Sequence, residues 1–249
     1  MPKSPRFTIV TVCFNAEATI SATAQSLLAQ SCSDYEWLVV DGASTDRTMA
    51  LIANFPVPNK RVVSEPDRGI YDAMNKAVAL ARGEWIYFLN CGDTLADVGV
   101  LADAALAIDA QPDLQLLWGD MLYFDQHRQW ARRFRHVNRR TLIFDDLNHQ
   151  ATFARRSLFE QAGGFNLDFK TSADYDWLIR VLRSGARYRY LQRTIARFAV
   201  GGMHSANVQA LIAERRRLRL QYVPPEQLKM GLVIARVRRR FRIILGHGG

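Results

Sequence analysis

The chain has little cysteine, no long apolar run and no internal repeat, and each absence narrows what it can be. Its three cysteines, Cys13, Cys32 and Cys91, are odd in number and never fall into C-x-x-C spacing. That argues against a disulfide framework and a structural zinc site, and leaves free thiols in a reducing compartment. No apolar stretch reaches the roughly 18 residues a membrane span requires, and the first residues lead directly into a strand-like run without a leader pattern. A cytoplasmic protein is expected. With no repeats or low-complexity tracts, the expectation is one large globular domain, or a domain with an appendage.

What is present supports that expectation. The chain has 249 residues, 49% of them apolar, which is enough to bury a full core. Charge is unevenly spread. From Glu214 to the end there are ten Arg and Lys against two Glu, so this segment carries +8 of the formal net charge of +9. The body is nearly neutral and the tail is basic.

In the first hundred residues, strand-like runs alternate with stretches long enough for helices. "FTIVTVC" from Phe7, "YEWLVV" from Tyr35, "KRVVS" from Lys60 and "EWIYFL" from Glu84 are rich in β-branched and aromatic residues. The clearest helix spans 69–82, where Ile70, Ala73, Met74, Ala77, Val78 and Ala81 keep helical spacing and Gly83 stands as terminator. Alternation of this kind predicts a parallel α/β sheet. After Leu114 it becomes irregular: "LQLLWGDMLYF" and "QWARRFR" suggest strands joined near Asp125 to Arg128. Further helices are expected at 174–184 and about 205–221, before Pro224 and Pro225.

In a parallel sheet, ligands lie beyond the carboxyl ends of the strands. Polar residues collect there three times: Phe14 and Asn15 after the first strand, "DGASTD" (Asp41 to Asp46) after the second and "NCGD" (Asn90 to Asp93) after the fourth. Any one of these could simply cap the next helix. Three on one rim predict a site.

Four segments in order carry a resemblance: "TIVTVCFNAEATI", "VVDGASTDRT", "EPDRGIYDAMNKAVALARGEWIYFLNCGD" and "GGFNLDFKTSADYDWLIR". Together, over about residues 7–222, the chain resembles the family 2 glycosyltransferases, nucleotide-sugar enzymes of the GT-A fold. The resemblance implies an α/β, Rossmann-like and mostly parallel sheet with helices on both faces. It also implies a transferase domain over 1–222, with a nucleotide-sugar half to about 113 and an acceptor half from 114, followed by a basic tail at 223–249. The activity implied is transfer of a hexosyl-type group from a nucleoside-diphosphate sugar, UDP favoured, to a hydroxyl acceptor with inversion.

Residue by residue, Asp41 is placed like the family carboxylate that accepts from the nucleobase, with Thr11 and Asn15 lining the same pocket. An Asx turn within "DGAS" is the other reading of Asp41. Asp67, Asn75 and Lys76 would face the ribose and phosphates, although Asp72 and Lys76 could also pair on a solvated helix face. Asp93 matches the last position of the family's DXD-type motif, and Asn90 and Gly92 replace the earlier carboxylates. Departing diphosphate accumulates charge, so a divalent cation, Mg2+ or Mn2+, on Asp93 is the implied cofactor. Cys91 is too soft for such ions.

Asp174 matches the family's base and would take the acceptor's proton, with Ala173 at the preceding acidic position. A capping-box-like pair of Thr171 and Asp174 is the alternative, and Asp176 is the alternate base. His149 and His204 could face the acceptor or the diphosphate, or be structural.

The tail segment "MGLVIARVRRRFRIILGHGG" can place Leu232, Val233, Val237, Phe241, Ile244 and Leu245 on one stripe flanked by arginines, as in a helix lying on anionic lipid. A terminal helix packed on the core is the other reading. Membrane contact would suit a lipid-linked saccharide acceptor in bacterial surface polysaccharide synthesis. Nucleic acid is not an expected partner, since no recognised module is present. A nucleotidyltransferase, which would release pyrophosphate, and a non-catalytic sugar-nucleotide binder remain the rival classes.

Overall fold

The computed structural model describes residues 4–200 and 208–244. Its centre is a sheet whose first half is parallel and ordered by the alternating pattern of the sequence. The strands are β1 (Phe7–Cys13), β2 (Tyr35–Asp41), β3 (Lys60–Ser64) and β4 (Trp85–Phe88), in spatial order β3-β2-β1-β4. Register places Cys13 beside Asp41 and Asp41 beside Ser64, so the three strands end on one rim. Leu89 N–H donates to Val10 O at 2.8 Å and brings the end of β4 to the same edge.

Helices cover both faces, which is why these strands are apolar at successive positions rather than alternately. Val10, Leu38 and Ile86 face one core with α3 (Ile70–Leu80) and α6 (Ala173–Arg183). Ile9, Trp37 and Tyr87 face the other with α1 (Ile20–Leu28) and α4 (Val100–Asp109). A short α2 (Thr48–Asn54) follows the second strand. The helix expected at 69–82 is α3, but Gly83 does not end it. Ala81 does so by turning extended, with φ −62° and ψ 135°. Gly83 is required for a close approach instead: a Cβ there would run into the Thr8 backbone, and its N–H donates to Thr8 Oγ1 at 2.8 Å.

The second half is mixed. The sheet continues from β4 through β8 (Thr152–Arg155), β6 (Leu116–Phe124) and β9 (Tyr188–Ala199) to the two-residue β5 (Thr94–Leu95). β8 runs antiparallel to both its neighbours, and β9 lies parallel to β6 with a register shift between Trp118 and Met121. β7 (Gln129–Arg132) forms the hairpin expected around Asp125 to Arg128, closed by Asp125 N–H to Arg128 O at 2.9 Å. Because β8 inserts beside β4, both halves of the sequence share one sheet, and β8 carries the segment before it to the rim of β4.

α5 (Ser157–Ala162) follows β8, and α7 (Val208–Leu220) and α8 (Pro225–Ile244) complete the described chain. No helix among the described residues is long and apolar enough to cross a membrane. Cys13, Cys32 and Cys91 are all free.

Candidate active site

The first two strand ends are stitched together by their own polar groups. Asn15 holds a left-handed backbone, φ 47°, which asparagine tolerates because its side chain bonds locally. Its N–H donates to Ser44 Oγ at 2.8 Å and its Oδ1 accepts from Thr45 N–H at 2.9 Å. Asp41 is fully buried beneath this loop. Its carboxylate accepts from Ser44 N–H, from the Ser44 hydroxyl and from the Ser64 hydroxyl, the last at 2.6 Å, while the Cys13 thiol lies 3.6 Å away. Burial alone would raise its pKa, but these donors outweigh it and hold the carboxyl below the usual range. Asp41 is therefore the internal anchor of an Asx turn, with no face left for a nucleobase.

Thr11 is likewise interior: its hydroxyl donates to Leu89 O at 2.8 Å and accepts from Trp37 Nε1 at 2.9 Å. Asn75 spends its amide on both backbone groups of Phe165, at 2.9 and 2.8 Å, and so clamps α3 to the "GGF" loop. Lys76 reaches Pro66 O and Glu65. All three spend their polar groups on partners within the protein. Asp67 does lie at the rim. Its Oδ1 accepts from Gly69 N–H at 2.8 Å, and its Oδ2 extends over Gly42, where a Cβ would come within 2.7 Å of it. Phe14 lines the other side of Gly42 and is 53% exposed.

The second cluster joins the two halves of the chain. Asp174 stands in the first turn of α6, where the helix dipole favours a carboxylate. Its Oδ1 accepts from the Tyr71 hydroxyl of α3 at 2.8 Å, and its Oδ2 lies 2.7 Å from His149 Nδ1. Since a carboxylate accepts, Nδ1 carries the hydrogen, and His149 Nε2 accepts from Asn90 Nδ2 at 3.0 Å. One imidazole thus spans from the α6 carboxylate to the turn after β4. Burial would raise Asp174, but the hydrogen bond and charge of His149, the Tyr71 hydroxyl and nearby Arg215 reverse this and bring it to about 2. The capping alternative fails, because α6 begins without a side-chain cap and Thr171 bonds Glu214 instead.

Asp93 closes the cluster. It is buried, and burial pushes its carboxyl up to about 7, only partly opposed by His149 and a hydrogen bond from Gln150. Asn90 Oδ1 is a buried oxygen with no hydrogen-bond partner. Among the described residues no three His, Cys, Asp or Glu side chains gather to hold a metal unaided. A desolvated carboxylate and an orphaned amide oxygen are nevertheless hard donors, and they fit a cation whose other ligands come from substrate phosphates.

Asp176 is removed from candidacy: it is buried, paired with Arg180 at 2.8 Å, and accepts from Tyr222 at 2.8 Å. It staples α6 to the segment after α7. His204 lies outside the described residues. Sequence reasoning missed Tyr71 and Gln150. Tyr71 left one trace, an aromatic with a polar tip beside the apolar face of α3.

A parallel β3-β2-β1-β4 sheet extended by antiparallel strands, with its polar cluster at the strand ends, defines a glycosyltransferase fold of the GT-A type. The chain belongs to Glycosyl transferase family 2, whose profile matches residues 8–164. It is therefore a transferase of glycosyl groups. It is 34% identical over 247 residues to a PGL/p-HBAD biosynthesis glycosyltransferase of Mycobacterium bovis, covering 97% of this chain and 93% of that one. Among solved structures, S. aureus TarS 1-349 in complex with UDP-GlcNAc superposes with a TM-score of 0.73 at 19% identity, covering 91% of this chain and 70% of that 1-349 chain. The mannosyltransferase PcManGT of Pyrobaculum calidifontis, in complex with GDP-Man and Mn2+, gives 0.68 at 20% identity, covering 92% and 69%.

Proposed function

We propose that this enzyme moves a sugar from a nucleoside-diphosphate sugar, UDP favoured, to a hydroxyl of a lipid-linked saccharide, with inversion, in surface-glycan synthesis. The observation that carries the reading is the His149 bridge from Asp174 to Asn90. In a single displacement, the acceptor oxygen attacks the anomeric carbon from the face opposite the diphosphate as the bond to the diphosphate breaks. The acceptor's proton passes to His149 Nε2, where the hydroxyl replaces the Asn90 amide. Asp174 fixes the tautomer and stabilises the imidazolium that forms. Tyr71 holds the carboxylate in place.

At the other end of the rim, the nucleobase stacks on exposed Phe14, and Asp67 Oδ2, above Gly42, accepts its imide hydrogen. This role replaces the one expected of Asp41. Asn90 Oδ1 and Asp93 would hold Mg2+ or Mn2+, which when bound neutralises the charge growing on the diphosphate. The relatives support this chemistry by likeness: TarS was solved with UDP-GlcNAc, and PcManGT with GDP-Man and Mn2+.

The basic α8 supplies contact with anionic membrane. Met230, Val233, Ile234 and Val237 recur at i, i+3, i+4 and i+7 and are all exposed, and Lys229, Arg236 and Arg238 are exposed on the same helix. Val233 and Val237 belong also to the stripe expected from sequence, and the side chains of its Phe241, Ile244 and Leu245 lie outside the described residues. A panel of nucleotide sugars, each tested with and without Mn2+ for a rise in melting temperature, checks the donor class. A UDP-sugar should give the largest rise, and no response to any nucleotide sugar would overturn the reading.

A further inference from the structure

Between α8 and the 3-10 turn Leu142–Phe144 lies a cavity of about 570 Å3, lined by residues that play no part in the cluster around Asp174. That volume falls within the range of small-molecule sites, about 300 to 1,000 Å3. The helix comes close at Gly231, where a Cβ would run into the Phe144 ring, and Ile234 and Ala235 then line the space one turn further along. The interior is mostly apolar surface, and its charged lining is buried Asp145, paired with His136 at 2.9 Å, together with Arg140 and Arg238, both exposed, so the cations outnumber the one carboxylate.

Two features connect this cavity to its surroundings. Ile234 belongs both to its wall and to the exposed apolar stripe of α8, so the apolar surface is continuous from the helix exterior into the cavity. The same 3-10 turn that presents Phe144 also receives the Tyr175 hydroxyl at Leu142 O, 2.7 Å away, and Tyr175 is the neighbour of Asp174. The cavity thus adjoins α6, the element that carries Asp174, the carboxylate bonded to the proposed proton acceptor His149.

We propose that this cavity is a binding site for the apolar chain of an anionic amphiphile, a polyprenyl or acyl phosphate, whose phosphate meets Arg140 and Arg238. An apolar interior excludes free anions, and a cationic lining excludes neutral lipid, so the combination selects an amphiphile with a negative head. The chain enters along the α8 stripe from the membrane surface and anchors the acceptor beside α6. This deepens the lipid-linked acceptor reading and rests on it.

The test is calorimetric titration of the full chain with farnesyl phosphate, with inorganic phosphate as control. Farnesyl phosphate should bind and inorganic phosphate should not. Affinity should rise from dimethylallyl through geranyl to farnesyl phosphate as apolar area is buried. Ala235→Trp, which fills the cavity, should weaken farnesyl phosphate by about tenfold or more and leave the melting shift given by UDP unchanged. Affinity independent of chain length, or full binding by Ala235→Trp, would overturn the proposal. Failure of every nucleotide sugar to bind, with farnesyl phosphate still bound in this graded way, would sink the transferase mechanism while leaving the cavity assignment standing.

Discussion

Replacing Asp174 by Asn and His149 by Ala, singly and together, perturbs the connection that joins α6 to the turn after β4. If the acceptor's proton leaves through His149, each change removes general-base catalysis worth about 10²- to 10⁴-fold, or ~3 to 5 kcal/mol of transition-state stabilisation. Asp174→Asn acts through the tautomer. Its amide N–H presented to Nδ1 places the imidazole hydrogen on Nε2, where the base must be bare. Because the two side chains act as one unit across a 2.7 Å contact, the double variant should be little worse than either single one. The assay is kcat for nucleoside diphosphate release with acceptor present, beside UDP affinity, which should change little.

The same substitution has a stability signature. Asp174 is held at about 2 against an ordinary value of 3.8, a stabilisation of roughly 2 kcal/mol. A depressed carboxyl contributes above its unfolded value and loses that contribution as pH falls through the folded one. The parent should therefore lose more stability than Asp174→Asn between about pH 4 and pH 2, as followed by circular dichroism in urea. Additive losses of activity in the double variant, or transfer by Asp174→Asn within a few-fold of the parent, would refute the relay.

Asp67→Ala should weaken UDP binding by ~1 to 3 kcal/mol if the imide hydrogen loses its acceptor, measured by calorimetry, with the melting temperature nearly kept. Asp41→Ala should do the reverse, lowering the melting temperature because three donors, two of Ser44 and one of Ser64, are left unpaired. Asp93→Ala should abolish the extra melting shift that Mn2+ adds to a UDP-sugar, and chelation of the parent should reproduce it; parent activity untouched by chelator would remove the cation from the account. Deleting residues 229–249 should release the chain from phosphatidylglycerol vesicles in sedimentation, and salt should weaken the parent's binding by screening. Equal sedimentation of both would make α8 a packed terminal helix.

The fold was legible because β-branched and aromatic runs such as "FTIVTVC" and "YEWLVV" have little choice but to be strands covered on both faces. The rim was legible for the same reason, since polar residues at three strand ends must meet once those strands are parallel neighbours. Which carboxylate faces outward was not legible. Asp41 and Asp67 both read as loop aspartates in sequence, and only the register Asp41↔Ser64 reveals that one is consumed by hydroxyls from the loop after it and from the next strand. Nor could spacing reveal that Asp174 meets Tyr71, 103 positions away, or that His149 links it to Asn90. Those contacts depend on β8 running back beside β4, a pairing with no local signature. The resemblance places Asn75 toward the ribose and phosphates, but its amide bonds both backbone groups of Phe165, 90 positions away.

The central claim is a single displacement at the anomeric carbon with proton loss through His149. Its most direct measurement is proton NMR of the reaction of the full chain with an α-linked UDP-sugar and a hydroxyl acceptor, following both the product's anomeric coupling and the phosphorus leaving group. The account predicts a β-linked product with stoichiometric release of UDP, and loss of both signals together in His149→Ala. An α-linked product, or release of pyrophosphate, would contradict it.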